Sequence, residues 1–398
     1  MLQKMNLHPE VELIIERLFS AGYRADVVGG AVRDHLLLRP SFDYDITTSA
    51  TPEEVRRVFR DFRIVDTGIK HGTVTLVLDE GSYEITTWRL DGEYLDNRHP
   101  DSVTFTRTLA EDLARRDFTV NAICYNPKDG FTDLFSGLDD LREGIIRAVG
   151  DPTRRFREDA LRIMRAVRFS ASLGFRMDEE TGRAACLERE LLRRISGERI
   201  LVELKKLLAA PHAYRAIENY QEIIATVLPE LDSVRLPDKD KFDAADPTSR
   251  ILSLFALGTP DNAAAAYSLA MRRLHSDNRM RLVGEKILSL ASAEILSRYD
   301  ALSLLANSGE EVARGALSLG ILLGKYGEQE RQILRDAISS GLPYRISELA
   351  IGGEELLALG IRGKDVGDTL HSLLHAVMRG ECENARDALL LYLRCIKK

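Results

Sequence analysis

The feature that most constrains this 398-residue chain is a change of hydrophobic period near Gly150. Up to about residue 135, short β-rich runs alternate with helical ones: ADVVGG, AVRDHLLL, DYDITT, PEEVRRVF, TVTLVLD and YEITTWR. That alternation predicts a mixed α/β region. Beyond Gly150, apolar residues recur at helical spacing, as in DALRIMRAVRFSASLGF and ERILVELKKLLAA, and continue so to the C-terminus. The fold class expected is therefore α+β, a sheet-containing head followed by an all-α remainder. Single cores stop growing at roughly 250 to 300 residues, so several domains are expected. The stretch LPELDSVRLPDKDKFDAADPTSR, rich in proline and charge, reads as a connection between helical modules.

Acidic residues stand where a signal peptide needs its apolar segment, and no run of about 18 apolar residues occurs. A soluble, cytoplasmic protein with no membrane partner is expected. Cys124, Cys186, Cys382 and Cys395 are far apart, which predicts free thiols rather than a zinc ribbon or a disulfide framework. The net charge is −7, yet residues 142–206 hold 16 Lys and Arg against 11 Asp and Glu. A cationic stripe in an acidic chain suits a surface that tracks a phosphate backbone, although a solvated helix face reads the same way.

The chemistry begins with FDYDIT, where Asp43 and Asp45 stand two apart in a strand pattern and so project from one face. Paired carboxylates suit Mg²⁺, which leaves its other positions to water and substrate phosphates. Upstream, VVGGAVRD runs a strand into Gly29-Gly30 and then a helix carrying Arg33 and Asp34. Glycines at such a turn let backbone N–H groups approach a triphosphate, and Arg33 is able to pair with it bidentately. GG-x-x-R-D followed closely by D-x-D resembles the signature of polymerase-β-type nucleotidyltransferases. In that chemistry, metals held by the carboxylates orient a primer 3′-hydroxyl and stabilise the leaving pyrophosphate. Glu84, in SYEITTW, is either a third carboxylate or a solvent-facing strand residue.

Two further segments complete the candidate site. LARRDFTVNAI sets Arg115, Arg116 and Asp117 ahead of Asn121. Arg116 is placed to reach a triphosphate, and Asp117 or Asn121 to bond ribose hydroxyls. In RRFREDALRIMRAVRF, Glu158, Asp159, Arg162, Arg165 and Arg168 fall at helical spacing, which puts Asp159 and Arg162 on one face. A carboxylate accepts and a guanidinium donates. Cytosine and adenine each present an amino donor beside a ring-nitrogen acceptor, so an Asp–Arg pair matches both and rejects uracil and guanine. The alternative is an ordinary surface salt bridge.

Together VVGGAVRD, FDYDI, RRDFTVNAI and FREDALRIMRAVRF resemble the ordered motifs of the class II tRNA nucleotidyltransferases, the bacterial CCA-adding enzymes and their poly(A) polymerase relatives. ISGERILVELKKLL and VMRGECENARDALLLYLR extend the likeness along the whole chain. The resemblance implies a polymerase-β-like head over residues 1–140, a helical neck over 141–205, a body over 206–290 and a tRNA-binding tail over 291–398. It makes Asp43 and Asp45 the metal ligands. Gly30, Arg33, Arg116, Asp159, Arg162, Arg165 and Arg168 would contact CTP or ATP, with Glu158 orienting the recognition pair from behind.

The family's flexible loop corresponds to DGEYLDNRHPDSV, which keeps Asp96, Arg98 and Pro100 but has His99 where a second arginine is usual. Its presence argues against a member that adds only the two cytidines. No His-Asp dipeptide occurs, so the phosphohydrolase module of some longer relatives is not expected. His371 and His375 lack the glutamate of HExxH and are expected to serve helix packing. The rival enzyme reading is an A-adding or poly(A)-tailing member, which shares these motifs. A silent tRNA-binding protein is expected to have lost a carboxylate or the recognition arginine, and both are intact. A small-molecule nucleotidyltransferase would have no use for the long helical half.

Overall fold

The structure is a computed structural model that describes residues 4–41, 43–68, 72–92 and 103–396. The chain divides into two compact units, Met1–Val227 and Leu228–Lys398. The loop carrying Asp96, Arg98, His99 and Pro100 lies outside the described residues.

The first unit opens with α1 (Pro9–Ser20), started by Pro9 at its first position and by His8, whose ring accepts from the Glu10 N–H. Its apolar stripe, Val11, Ile14, Ile15 and Leu18, is buried. Strand β1 (Ala25–Val28) leads into α2 (Gly30–Leu36), then β2 (Asp45–Thr48) and α3 (Pro52–Val58), the last fixed by a Thr51/Glu54 capping box. Strands β3 (Arg63–Gly68), β4 (Thr73–Val77) and β5 (Ser82–Thr87) follow, then the short pair β6 (Arg89–Asp91) and β7 (Val103–Phe105). After α4 (Leu109–Ala114) come β8 (Ile123–Asn126), β9 (Gly130–Asp133) and α5 (Gly137–Glu143).

Seven strands form one sheet in the order β3-β4-β5-β2-β1-β8-β9. It is antiparallel except for β2 beside β5, so the sheet is mixed, as the alternation of elements predicts. All four residues of β1 are buried, and the strand lies between β2 and β8 in the sheet.

Beyond β10 (Ile145–Ile146), helices α6 (Pro152–Glu158) and α7 (Leu161–Leu173) are separate elements. Strand β11 (Arg176–Met177) pairs in parallel with β10, and α8 (Glu179–Leu187), α9 (Gly197–Ala209), α10 (Ala213–Asn219) and α11 (Gln221–Val227) complete the unit. Helix α7 packs against α9 and α10.

Among its described residues the second unit is entirely helical. Its apolar clusters include one of Leu302, Leu305, Ala313 and Leu334, and another of Leu356, Leu373, Val377 and Leu389. On the helix Lys364–Met378, His375 bonds the Tyr299 hydroxyl at 3.0 Å while His371 faces solvent. The expected packing role therefore falls to His375 and not to His371. No helix among the described residues is long and apolar enough to cross a membrane.

Candidate active site

Val28 pairs with Asp45, so β1 delivers the chain to Gly29 directly beside the first residue of β2. Gly29 has φ +76°, a backbone that a side chain adopts only with strain. A Cβ there would lie 3.6 Å from Arg116 Nη1 and 3.6 Å from Asp45 Oδ2. The glycine turn, the carboxylate and the guanidinium thus converge on one spot, and Gly30 follows with Arg33 Nη2 3.7 Å from where its Cβ would be.

Asp43 and Asp45 are both exposed. Strand β2 begins at Asp45, so Asp43 lies just ahead of it and not within it, contrary to the strand pattern. The parallel register Ile46 with Ile85 sets Glu84 beside Asp45 on the same face of the sheet. Crowding by the surrounding protein raises the Asp45 pKa, Asp43 raises it further, Arg116 opposes the rise and Glu84 adds to it. Neighbouring carboxylates that disfavour one another's charge are relieved by a divalent cation, and their hard oxygens suit one. Among the described residues no group of three or more His, Cys, Asp or Glu is arranged around a common point. The carboxylates at this spot are Asp43 and Asp45 with Glu84 beside them, and a cation held by one or two carboxylates takes its remaining ligands from water and phosphate.

Arg116 is governed by Asp112, a residue whose importance is not evident in the sequence. Asp112 is fully buried, accepts from Arg115 Nε and Nη2 at 2.9 and 2.8 Å, and accepts from the Thr47 hydroxyl at 3.0 Å. Arg116 Nη2 stands 3.5 Å from its other oxygen. Burial raises the Asp112 pKa, but Arg115 and Arg116 more than reverse this and hold the carboxyl below its ordinary value. The signal lay in the i,i+3 and i,i+4 spacing of Asp112 to Arg115 and Arg116.

A second chain of contacts crosses from α2 to α7. Arg33 places Nε and Nη2 on Asp34 at 2.9 and 3.0 Å and donates Nη1 to Asn121 Oδ1 at 2.7 Å. Its fork is thus occupied by Asp34, and the bidentate grip on phosphate expected of it is not available in this state. Asn121 donates to Asp117 at 3.1 Å, and Asp117 Oδ2 accepts from Arg165 Nε and Nη2 at 2.9 and 2.5 Å. Burial works to raise the Asp117 pKa, yet Arg165, Asn121 and Arg162 bring it down to about 2. Phe169 is the hub: the guanidiniums of Arg33, Arg165 and Arg168 lie 5.1, 5.3 and 3.8 Å from its ring centroid. Arg168 also pairs with buried Glu203 at 2.6 Å.

The recognition segment differs from the pattern read in the sequence. The helix does not run through Asp159: α6 ends at Glu158, Asp159 is extended (φ −139°, ψ 103°), and α7 starts at Leu161. Asp159 Oδ1 caps the Leu161 N–H at 3.1 Å and Oδ2 accepts from Arg199 Nη2 at 3.0 Å. A capping carboxylate competes with helix continuation, which is why the spacing misleads here. Asp159 and Arg162 consequently do not share a helix face, and the surface salt bridge between them is replaced by other pairs. Arg162 is 9% exposed and donates to Glu158 Oε2 at 3.0 Å, to the Arg155 carbonyl at 3.3 Å and to the Arg115 carbonyl at 2.9 Å. The last bond ties the recognition segment to the segment that carries Arg116.

Known proteins resemble the chain throughout. Residues 25–147 match the poly A polymerase head domain, and residues 174–234 match the family described as a probable RNA and SrmB-binding site of polymerase A. The CCA-adding enzyme of Lactobacillus delbrueckii subsp. bulgaricus is 40% identical over 397 residues, with 96% of each chain covered. That of Lactobacillus helveticus is 38% identical over 391 residues, covering 96% of this chain and 95% of its own. The crystal structure of the Bacillus stearothermophilus CCA-adding enzyme in complex with CTP superposes with a TM-score of 0.78 at 34% identity, covering 98% of this chain and 99% of that one. A nucleotidyltransferase head of this kind works with divalent metal. On identity, coverage and fold together, the chain belongs to the CCA-adding enzyme family of tRNA nucleotidyltransferases.

Proposed function

We propose that this protein builds and repairs the 3′-terminal CCA of tRNA in the cytoplasm, using CTP and ATP, with Mg²⁺ as the divalent ion. The observation that carries the reading is the convergence of Gly29, Asp45 and Arg116, joined through the Arg115 carbonyl to Arg162. Residues 1–140 serve as the catalytic head, 141–205 as the neck that selects the base, and 206–290 and 291–398 as the body and tail that hold the tRNA.

Asp43 and Asp45 would hold the metal, which would supply charge neutralisation for the triphosphate and a lower pKa for the tRNA 3′-hydroxyl. The Gly29-Gly30 turn admits the triphosphate closely because no Cβ intervenes, and Arg116 lies beside it to neutralise phosphate charge. The tRNA 3′-oxygen forms a bond to the α-phosphorus as the bond to pyrophosphate breaks, and the hydroxyl proton leaves to solvent. Asp117 and Asn121 hold each other, and with Arg33 they line up to meet the ribose. Arg165 and Arg168 flank the nucleotide from α7.

Base choice rests on spare hydrogen-bonding capacity. Each Asp159 oxygen accepts one donor, leaving a lone pair on each. The three bonds of Arg162 leave two N–H groups of its five. An acceptor and a donor, the pair of groups that the edge of cytosine or adenine calls for, are thus left to a base. Glu158, bonded to Arg162, fixes the guanidinium from behind.

The test is incorporation of each labelled nucleotide onto tRNA transcripts ending before CCA, after C, and after CC. Stepwise addition of two C and one A supports the reading. A alone, added only to the CC-ending transcript, makes the protein an A-adding member, and no addition at all leaves a silent tRNA-binding protein.

A further inference from the structure

We infer that Asp112 is a positioning residue for nucleotide binding: its buried carboxylate neutralises Arg115 and fixes Arg116 against the Gly29 turn. The inference rests on the reading of Arg116 as a triphosphate contact. Five groups converge on Asp112. Oδ1 takes Arg115 Nε and Nη2 and the Arg89 N–H, the last at 3.4 Å. Oδ2 takes the Thr47 hydroxyl and stands opposite Arg116 Nη2. Thr47 is two residues beyond Asp45 on β2, on the same face of the strand. One carboxylate therefore ties the short α4 to the strand that begins with the metal-ligand candidate.

The division of charge explains why this matters. Two adjacent guanidiniums repel, and both sit largely out of solvent, with side-chain exposures of 17% and 18%. Asp112 binds Arg115 through two N–H groups and Arg116 through a longer contact, so Arg115 is neutralised in place and Arg116 keeps its charge for a ligand. Arg116 Nε is buried and has no hydrogen-bond partner among the described residues. A buried donor left unmade is costly, and here it marks a guanidinium whose full set of bonds is not supplied by the described residues. Asp112 sets where that guanidinium sits, and a phosphate chain lying over the Gly29 turn is the ligand chemistry that would complete it.

The experiment compares steady-state kinetics of the full-length wild type, Arg116→Gln, and the charge-balanced double variant Asp112→Asn/Arg115→Gln, each with its thermal unfolding midpoint. Positioning predicts that the double variant raises KM for both CTP and ATP about tenfold, with KM for tRNA unchanged and the melting transition retained. A purely structural Asp112 would lower the midpoint and leave the nucleotide KM of the folded enzyme at its wild-type value, and that result overturns the inference. An unchanged nucleotide KM in Arg116→Gln would instead refute the assignment of Arg116 itself. Should the double variant lack a cooperative melt, Thr47→Val carries the test, since it removes the hydroxyl bond to Asp112 at 3.0 Å and, besides it, a longer approach of 3.4 Å to the Thr86 carbonyl. A nucleotide KM raised about threefold supports positioning, and an unchanged KM overturns it.

Discussion

Replacing Asp117 by Asn keeps the shape of the side chain and its acceptor for the Phe118 N–H, and removes the charge that Arg165 grips. The carboxyl is held at about 2, against an ordinary 3.8, and is 10% exposed, so solvent screening takes little from the effect. At 1.36 kcal/mol per pKa unit the gap corresponds to about 2.4 kcal/mol of folding stability. The sign follows from linkage: a depressed carboxylate contributes fully above its unfolded value and loses that contribution as pH falls through the folded one. The wild-type advantage over Asp117→Asn should be about 2.4 kcal/mol at pH 7 and about 1.3 kcal/mol at pH 3. Arg165 is one-third exposed and can be rehydrated, so the loss stays below that of a fully buried broken pair. Trp88, the chain's single tryptophan, is buried against Leu109, Leu113 and Ala122, four to eight residues before and just after Asp117 along the chain. Urea titration followed by its fluorescence therefore reports unfolding of this part of the head. A loss under about 0.5 kcal/mol at pH 7, or a wild-type-to-variant difference that stays flat between pH 7 and pH 3, refutes the reasoning.

Asp43→Ala and Asp45→Ala each remove several kcal/mol of charge stabilisation, about a thousandfold or more in incorporation rate, while tRNA affinity by filter binding stays nearly intact. Loss of tRNA binding instead would show both carboxylates to be structural. Chelation with EDTA should abolish incorporation and Mg²⁺ should restore it; activity that persists in EDTA contradicts the metal reading. Arg162→Ala removes a charged donor worth about 1.5 to 3 kcal/mol, so the preference for C over U should fall about tenfold to a hundredfold, more than the rate with CTP alone. Unchanged selectivity would sink the protein-template idea. Gly29→Ala forces a side chain into φ +76° at a cost of order 1 to 3 kcal/mol and puts a methyl between Arg116 and Asp45, so nucleotide KM should rise. A wild-type KM would mean that the turn is not where the triphosphate lies.

Local pattern carried much of this site and failed where partners come from elsewhere in the chain. The Gly29 turn and the Asp45 strand are legible because strand period and turn chemistry act over a few residues, and β1 and β2 pair as neighbours. The break at Asp159 was hidden by an apolar spacing that runs through it, although aspartate is a frequent capping residue. Arg33 reads as a free cation in VVGGAVRD, yet Asn121 and Phe169, which engage it, are 88 and 136 positions away. Asp112 looks like one of two acids on a short helix, and only folding reveals that it is buried against Thr47. The segment with Arg98 and His99, whose presence argues against a member that adds only cytidines, lies outside the described residues.

In the function proposed above, the protein itself, with no nucleic-acid template, restricts addition to C, C and A. The most direct test of this is to offer an equimolar mixture of all four nucleoside triphosphates, with Mg²⁺, to a tRNA transcript lacking its last three residues, and to sequence the product ends. The expected ends read CCA and extend no further; ends carrying U or G at comparable frequency, or runs of A beyond the third position, would rule out base choice by the protein.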